Sequence, residues 1–165
     1  GNMTDRFNAL AALVGSGHAL AAPALARFHQ LFKDEPLVID KWFALQAGAS
    51  DRGGHVLPIV RQLLQHPDFS LRNPNRARSL IAALGMSNPL RFHEASGRGY
   101  AFLGEQVRAL DAFNPQIAAR MLTPLTRWKR QDAPRQALMK RELQRILDRE
   151  GCSKDVYEIV TKSLA

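Results

Sequence analysis

Cysteine is almost missing from this chain: Cys152 is the only one in 165 residues. An intrachain disulfide is therefore impossible, a cysteine-based zinc cage is excluded, and the usage fits a reducing compartment. Long apolar runs are missing as well. Arg, Asp or Gln breaks every such stretch well short of the ~20 residues that a membrane span needs. The N-terminus lacks a basic segment followed by an apolar one, so the chain is expected to be soluble and to carry no export signal of its own. No stretch is rich enough in Gly/Ser or Gln/Asn to read as low complexity, and no linker divides the chain.

The usual marks of catalysis are equally sparse. A helical zinc hydrolase motif needs two His four positions apart with a Glu between them as general base. Here His18, His29, His55, His66 and His93 are never closer than eleven positions. His93-Glu94-Ala95-Ser96-Gly97 begins like that motif but puts Gly97 where the second ligand belongs. His93 therefore reads as a polar loop histidine, and no metal ligand is assigned. Cys152 follows a glycine at an apparent helix boundary with no His near it in sequence, which suits a structural thiol better than a nucleophile. Gly97-Arg98-Gly99 is too short to cradle a phosphate.

What the chain does have is apolar content, 45% of residues, recurring at three- and four-residue spacing. Val56-Leu57-Val60-Leu63-Leu64, Ala77-Leu80-Ile81-Leu84 and Leu103-Val107-Leu110 are examples, and strict two-residue alternation does not occur. The pattern predicts an all-α chain with helices at 4–14, 18–33, 36–48, 55–65, 75–86, 99–112, 115–129, 134–150 and 153–164. Asn73-Pro74 and Asn114-Pro115 suit helix starts, because Asn caps orphan amides and Pro at the next position lacks an N–H that had no partner. Asn88-Pro89 reads as another start or as a turn. Gly151 and Ser153 read as a stop and the cap of the last helix. Short connections predict one domain over 1–165, built as antiparallel helix pairs stacked into an α-solenoid, with a compact bundle as the rival. The segments His66 to Asn73 and Ser87 to Gly99 read as long polar loops, suited to partner contacts or to plain solvated connections.

The net charge of +8 is concentrated. The segment 72–91 contains four arginines and no acid, and 127–149 contains eight Lys or Arg against three acids. Arg141, Arg145 and Arg149 form an i, i+4 row, and Trp128 stands among Arg127, Lys129 and Arg130, where it could stack on a base. A solvated helix face explains the row equally simply, since Glu142, Asp148 and Glu150 interrupt it.

Asp40-Lys41-Trp42-Phe43, Asn73-Pro74-Asn75-Arg76-Ala77-Arg78-Ser79-Leu80-Ile81, Ser87-Asn88-Pro89 to Phe92-His93, and Thr123-Pro124-Leu125 with Lys129-Arg130 occur in one order. That series resembles the C-terminal domain of bacterial aminopeptidase N, and Asn2-Met3-Thr4-Asp5-Arg6 and Tyr157-Glu158-Ile159-Val160-Thr161-Lys162 extend the likeness to nearly the whole chain. The resemblance implies a helical module of a larger cytoplasmic zinc aminopeptidase, partnered by the catalytic and other domains of the same polypeptide and by peptide substrates. Zinc would belong to the absent catalytic domain, since H-E-x-x-H and G-x-M-E-N are missing here. It further implies that Arg78, Arg120 and, with less weight, Gln116 line the substrate channel. The variable segment Ala47 to His55 departs from the commoner pattern and bears on loop shape. The competing expectation is a free-standing helical-repeat module that binds acidic partners or nucleic acid through 72–91 and 127–149.

Overall fold

The structure is a computed structural model that describes residues 2–50 and 55–165. The segment Ala47 to His55 therefore lies partly outside the described residues. Helices α1 (Met3–Ser16), α2 (Ala21–Phe32), α3 (Pro36–Ala47), α4 (Val56–Leu63) and α5 (Pro74–Ser87) form the first half. A short α6 (Pro89–Phe92) leads into α7 (Arg98–Asp111), α8 (Pro115–Met121), the single turn α9 (Thr123–Thr126), a 3-10 turn (Trp128–Arg130), α10 (Ala133–Asp148) and α11 (Lys154–Leu164). No strand forms among the described residues. None of their helices is long and apolar enough to cross a membrane.

Caps set most of the starts. Asn2, Asn73, Asn114, Asp132 and Ser153 each accept, through a side-chain oxygen, from the backbone N–H three residues on, at 2.9 to 3.3 Å. Asn88 does the same for α6 at 3.4 Å, which settles its reading as a helix start. It also donates to the carbonyls of Ala47 and Ala49 at 2.9 and 3.1 Å, closing the C-terminal end of α3. The second long loop is accordingly shorter than expected, because α6 occupies its first half.

The expected helix over 115–129 is divided into three pieces. Pro124 has no N–H to offer the carbonyl of Arg120, so an unbroken helix cannot continue there. The hydroxyl of Thr123 donates to that carbonyl instead, at 3.1 Å, and the chain turns into α9 and the 3-10 turn.

The pairs α1/α2, α3/α5, α7/α8 and α10/α11 form in chain order, with α4 against α3. Substantial contacts run from each pair to its neighbour: α2 and α1 to α3, α5 to α7 and α8, α7 to α10, and α8 to α11. That nearest-neighbour arrangement is a solenoid, as expected, and not a bundle around one axis. A continuous core threads it, from Leu10 and Phe28 through Phe43, Leu80, Phe102, Leu103 and Leu125 to Val156 and Val160.

Candidate functional site

The motif Asn73 to Ile81 opens α5, and helical geometry separates its two arginines. Residues two apart on an α-helix point about 200° apart, so Arg76 and Arg78 face opposite ways. Arg76 is buried, with Nε 2.5 Å from the Asp40 carboxylate and further donation to the carbonyls of Asp68 and, at 3.5 Å, Pro36. Its guanidinium carbon also lies 5.2 Å from the centroid of the Phe43 ring. The Asp40-Lys41-Trp42-Phe43 segment and the Asn73 to Ile81 segment are thus two halves of one contact. Arg78 is exposed and donates to Asn75 Oδ1 at 2.6 Å, an i, i−3 bond that leaves the guanidinium on the surface.

Arg120 and Gln116 sit on α8 with one helical turn between them, so they share a face. Both are exposed and make no side-chain hydrogen bond among the described residues. Because α5 and α8 pack on each other, the helix that carries Arg78 touches the helix that carries Gln116 and Arg120. Exposed guanidinium and amide donors are thus carried on two adjoining helices, chemistry that suits carboxylates and peptide carbonyls.

The basic segments present less free charge than their composition suggests. Arg145 and Arg108 lie 3.1 and 3.8 Å from the carboxylate of buried Glu142. Arg149 reaches the buried Asp111 carboxylate at 2.9 Å, and Arg135 pairs with Asp132 at 2.5 Å. Of the row 141, 145 and 149, two members are therefore taken up by internal carboxylates. Trp128 is buried, donates to the carbonyl of Ser163 at 3.2 Å, and lies beneath Lys129 and Lys140. Its ring face is not offered to a base.

His93 is half-buried and does more than an ordinary loop residue. Its Nδ1 is 2.6 Å from the Tyr100 hydroxyl, and Arg135 donates to its carbonyl at 2.7 Å. Burial, followed by the field of Arg135, holds this imidazole below its usual range, and burial raises the Tyr100 phenol. Cys152 is partly buried, with its thiol raised by burial and then by Asp111, the reverse of what an activated nucleophile needs.

The fold also makes a cluster that linear spacing hides. His29, from the last turn of α2, meets His66 and Asp68 from the turn after α4, although His29 and Asp68 are 39 residues apart.

A family model described as a domain of unknown function (DUF3458_C) with ARM repeats matches residues 1–165. Proteins named aminopeptidase N from Caulobacter vibrioides, Haemophilus influenzae and Escherichia coli are each 44% identical to this chain over 99% of its length. The chain belongs to the family of aminopeptidase N C-terminal domains. It spans about a fifth of the length of these relatives, 18 to 19%. The crystal structure of Legionella pneumophila aminopeptidase A in complex with aspartic acid matches with a TM-score of 0.91 and 33% identity, over 99% of this chain and 19% of that one. The repeat description of the family agrees with the stacked pairs of this aminopeptidase N domain.

Proposed function

We propose that this chain serves as the C-terminal domain of a larger zinc-dependent aminopeptidase, where it encloses the active-site chamber and lines the substrate channel without carrying the catalytic motif. The observation that carries this reading is the full-length match: 44% identity over 99% of the chain to aminopeptidases five times longer. A cytoplasmic setting is part of the same proposal. The two-His, one-Glu helical set of such an enzyme does not occur here, so the catalytic zinc and the hydrolytic chemistry belong to the rest of the polypeptide.

In this role the chain's residues bind and orient. Arg78 and Arg120 hold the carbonyls or the C-terminal carboxylate of a peptide whose amino end is at the metal, and Gln116 adds an amide. Exposed Leu20, Leu31, Leu37, Met86, Leu90 and Tyr157 supply apolar area for docking on the other domains. The short helix α6, with exposed Leu90, and the connection from His93 to Gly97 are a further place for that contact.

Reading the frame upstream of Asn2 tests the first half of the proposal, which requires H-E-x-x-H and a distal Glu in the preceding residues. Peptide kinetics in the whole enzyme test the second. Arg78→Ala and Arg120→Ala are each expected to lower kcat/KM for peptides about tenfold, equivalent to about 1.4 kcal/mol, with a smaller effect on an amino-acid anilide that lacks a peptide tail. Equal losses on both substrates would remove these arginines from the channel.

A further inference from the structure

Three side chains scattered in sequence, those of His29, His66 and Asp68, each bring one ligand atom within 4.8 Å of the others. We propose that they form a binding site for a divalent transition metal, Zn2+ before others, with water completing the coordination shell.

Two imidazoles and one carboxylate make a mixed nitrogen and oxygen donor set, which suits Zn2+, Co2+, Ni2+ or Cu2+ better than Mg2+ or Ca2+. Bonds of about 2.0–2.2 Å in tetrahedral geometry place ligand atoms about 3.3–3.5 Å apart. His29 Nε2 and Asp68 Oδ2 are now 2.6 Å apart, hydrogen-bonded across the space that a cation would open. The pair has to part by less than an ångström while the third donor closes in, a range that side-chain torsions cover. His66 Nδ1 now accepts the Asp68 N–H at 3.0 Å, so loading at that atom exchanges this bond for a metal bond.

The rings are already held in place. His29 packs at 4.9 Å from Trp42 and 5.0 Å from His66, and His66 stands against Trp42 at 5.4 Å and Phe43 at 5.5 Å. Trp42 is itself fixed by its indole N–H to the Leu25 carbonyl at 2.9 Å. This aromatic wall limits the freedom that binding would otherwise remove. Arg76 is the opposing influence, because its cationic field reaches His66. Its charge is paired with the Asp40 carboxylate, 2.5 Å from Nε. Access is open: the His29 side chain is 20% exposed and that of Asp68 40%. The site does not rest on the aminopeptidase assignment.

Titration calorimetry of the 165-residue chain carrying Cys152→Ser tests it, with Zn2+ as the probe and imidazole 15N spectra alongside. The expected result is one saturable equivalent in the micromolar range, with resonance shifts at His29 and His66 and none at His18 or His55. His29→Gln and Asp68→Asn should each weaken binding at least tenfold, whereas His93→Gln should leave it unchanged. Absence of saturable binding at millimolar Zn2+ overturns the site. So does binding that both variants keep within twofold, or shifts confined to other histidines. Should either variant unfold, the 15N spectra of the parent chain decide alone.

Discussion

Arg76 and Arg78 share a motif and a helix, yet their surroundings assign them different work. Arg76 neutralises Asp40, whose side chain is 15% exposed, and donates to the carbonyl of Asp68. Arg76→Ala would leave that carboxylate without its partner. Breaking a buried pair in this way is expected to cost about 3 kcal/mol, or about 10 °C in thermal midpoint by circular dichroism. Arg78→Ala removes an exposed side chain and should stay within about 0.5 kcal/mol of the parent. A comparable loss in both would show that the surface arginine is structural. The motif was legible in the sequence as a unit; the division of labour inside it was not, because it depends on a partner 36 residues away. The same holds for His93, whose partner Tyr100 was read only as part of a helix. Its depressed imidazole gives a pH effect of defined sign. Tyr100 and Arg135 are the groups that face it, and the folded state keeps it neutral where the unfolded chain, near 6.5, takes up a proton. Stability is whole above that range and declines as pH falls below about 6.5. Melting between pH 7.5 and 5.5 should show this fall, and His93→Gln should make it shallower. An unchanged profile in the variant would remove His93 as its source.

At the scale of elements, the starts were easier to read than the interruptions. An Asn-Pro pair announces a cap and a first turn through local chemistry, and the caps at Asn73 and Asn114 form as expected. A break depends on what replaces a missing bond. The helix read over 115–129 ran through Pro124 without a break, and the Thr123 hydroxyl that takes over the Arg120 carbonyl became visible only in three dimensions. The approach of α6 to α7 is similar, since it depends on a residue with no side chain. A Cβ added at Gly99 would stand 2.4 Å from the Phe92 carbonyl oxygen and 2.8 Å from that of Arg91, both backbone atoms that cannot swing aside. Gly99→Ala is therefore expected to cost about 2–3 kcal/mol in urea unfolding, as an overpacked contact does. Gly15, near the end of α1, has nothing within 4 Å of such a Cβ, and Gly15→Ala should gain about 0.5 kcal/mol from helix propensity. If Gly99→Ala proves as mild as Gly15→Ala, α6 is not held against α7 as described.

For the whole molecule, helical periodicity showed which residues turn inward and left open what they turn toward, so solenoid and bundle stayed rivals. The contact order decides between them and carries a mechanical consequence. In a stack of pairs, each pair is stabilised by its own interface and its neighbours, so the ends should loosen before the middle. Here α7 is the central member, packed on α5, α6, α8 and α10, with Tyr100, Phe102, Leu103, Val107 and Leu110 all buried. By contrast, α1 and α2 each contribute one buried residue, Leu10 and Phe28, and contact the rest chiefly through α3. Native-state hydrogen exchange should find the slowest amides in α7 and much faster ones in α1 and α2. A chain cut to residues 34–165 should keep cooperative unfolding and lose helix signal in proportion to the residues removed, because the interfaces among α3/α5, α7/α8 and α10/α11 remain. Collapse of that shortened chain to a state without near-ultraviolet signal would mean that the core behaves as one unit, and the nearest-neighbour description would fail.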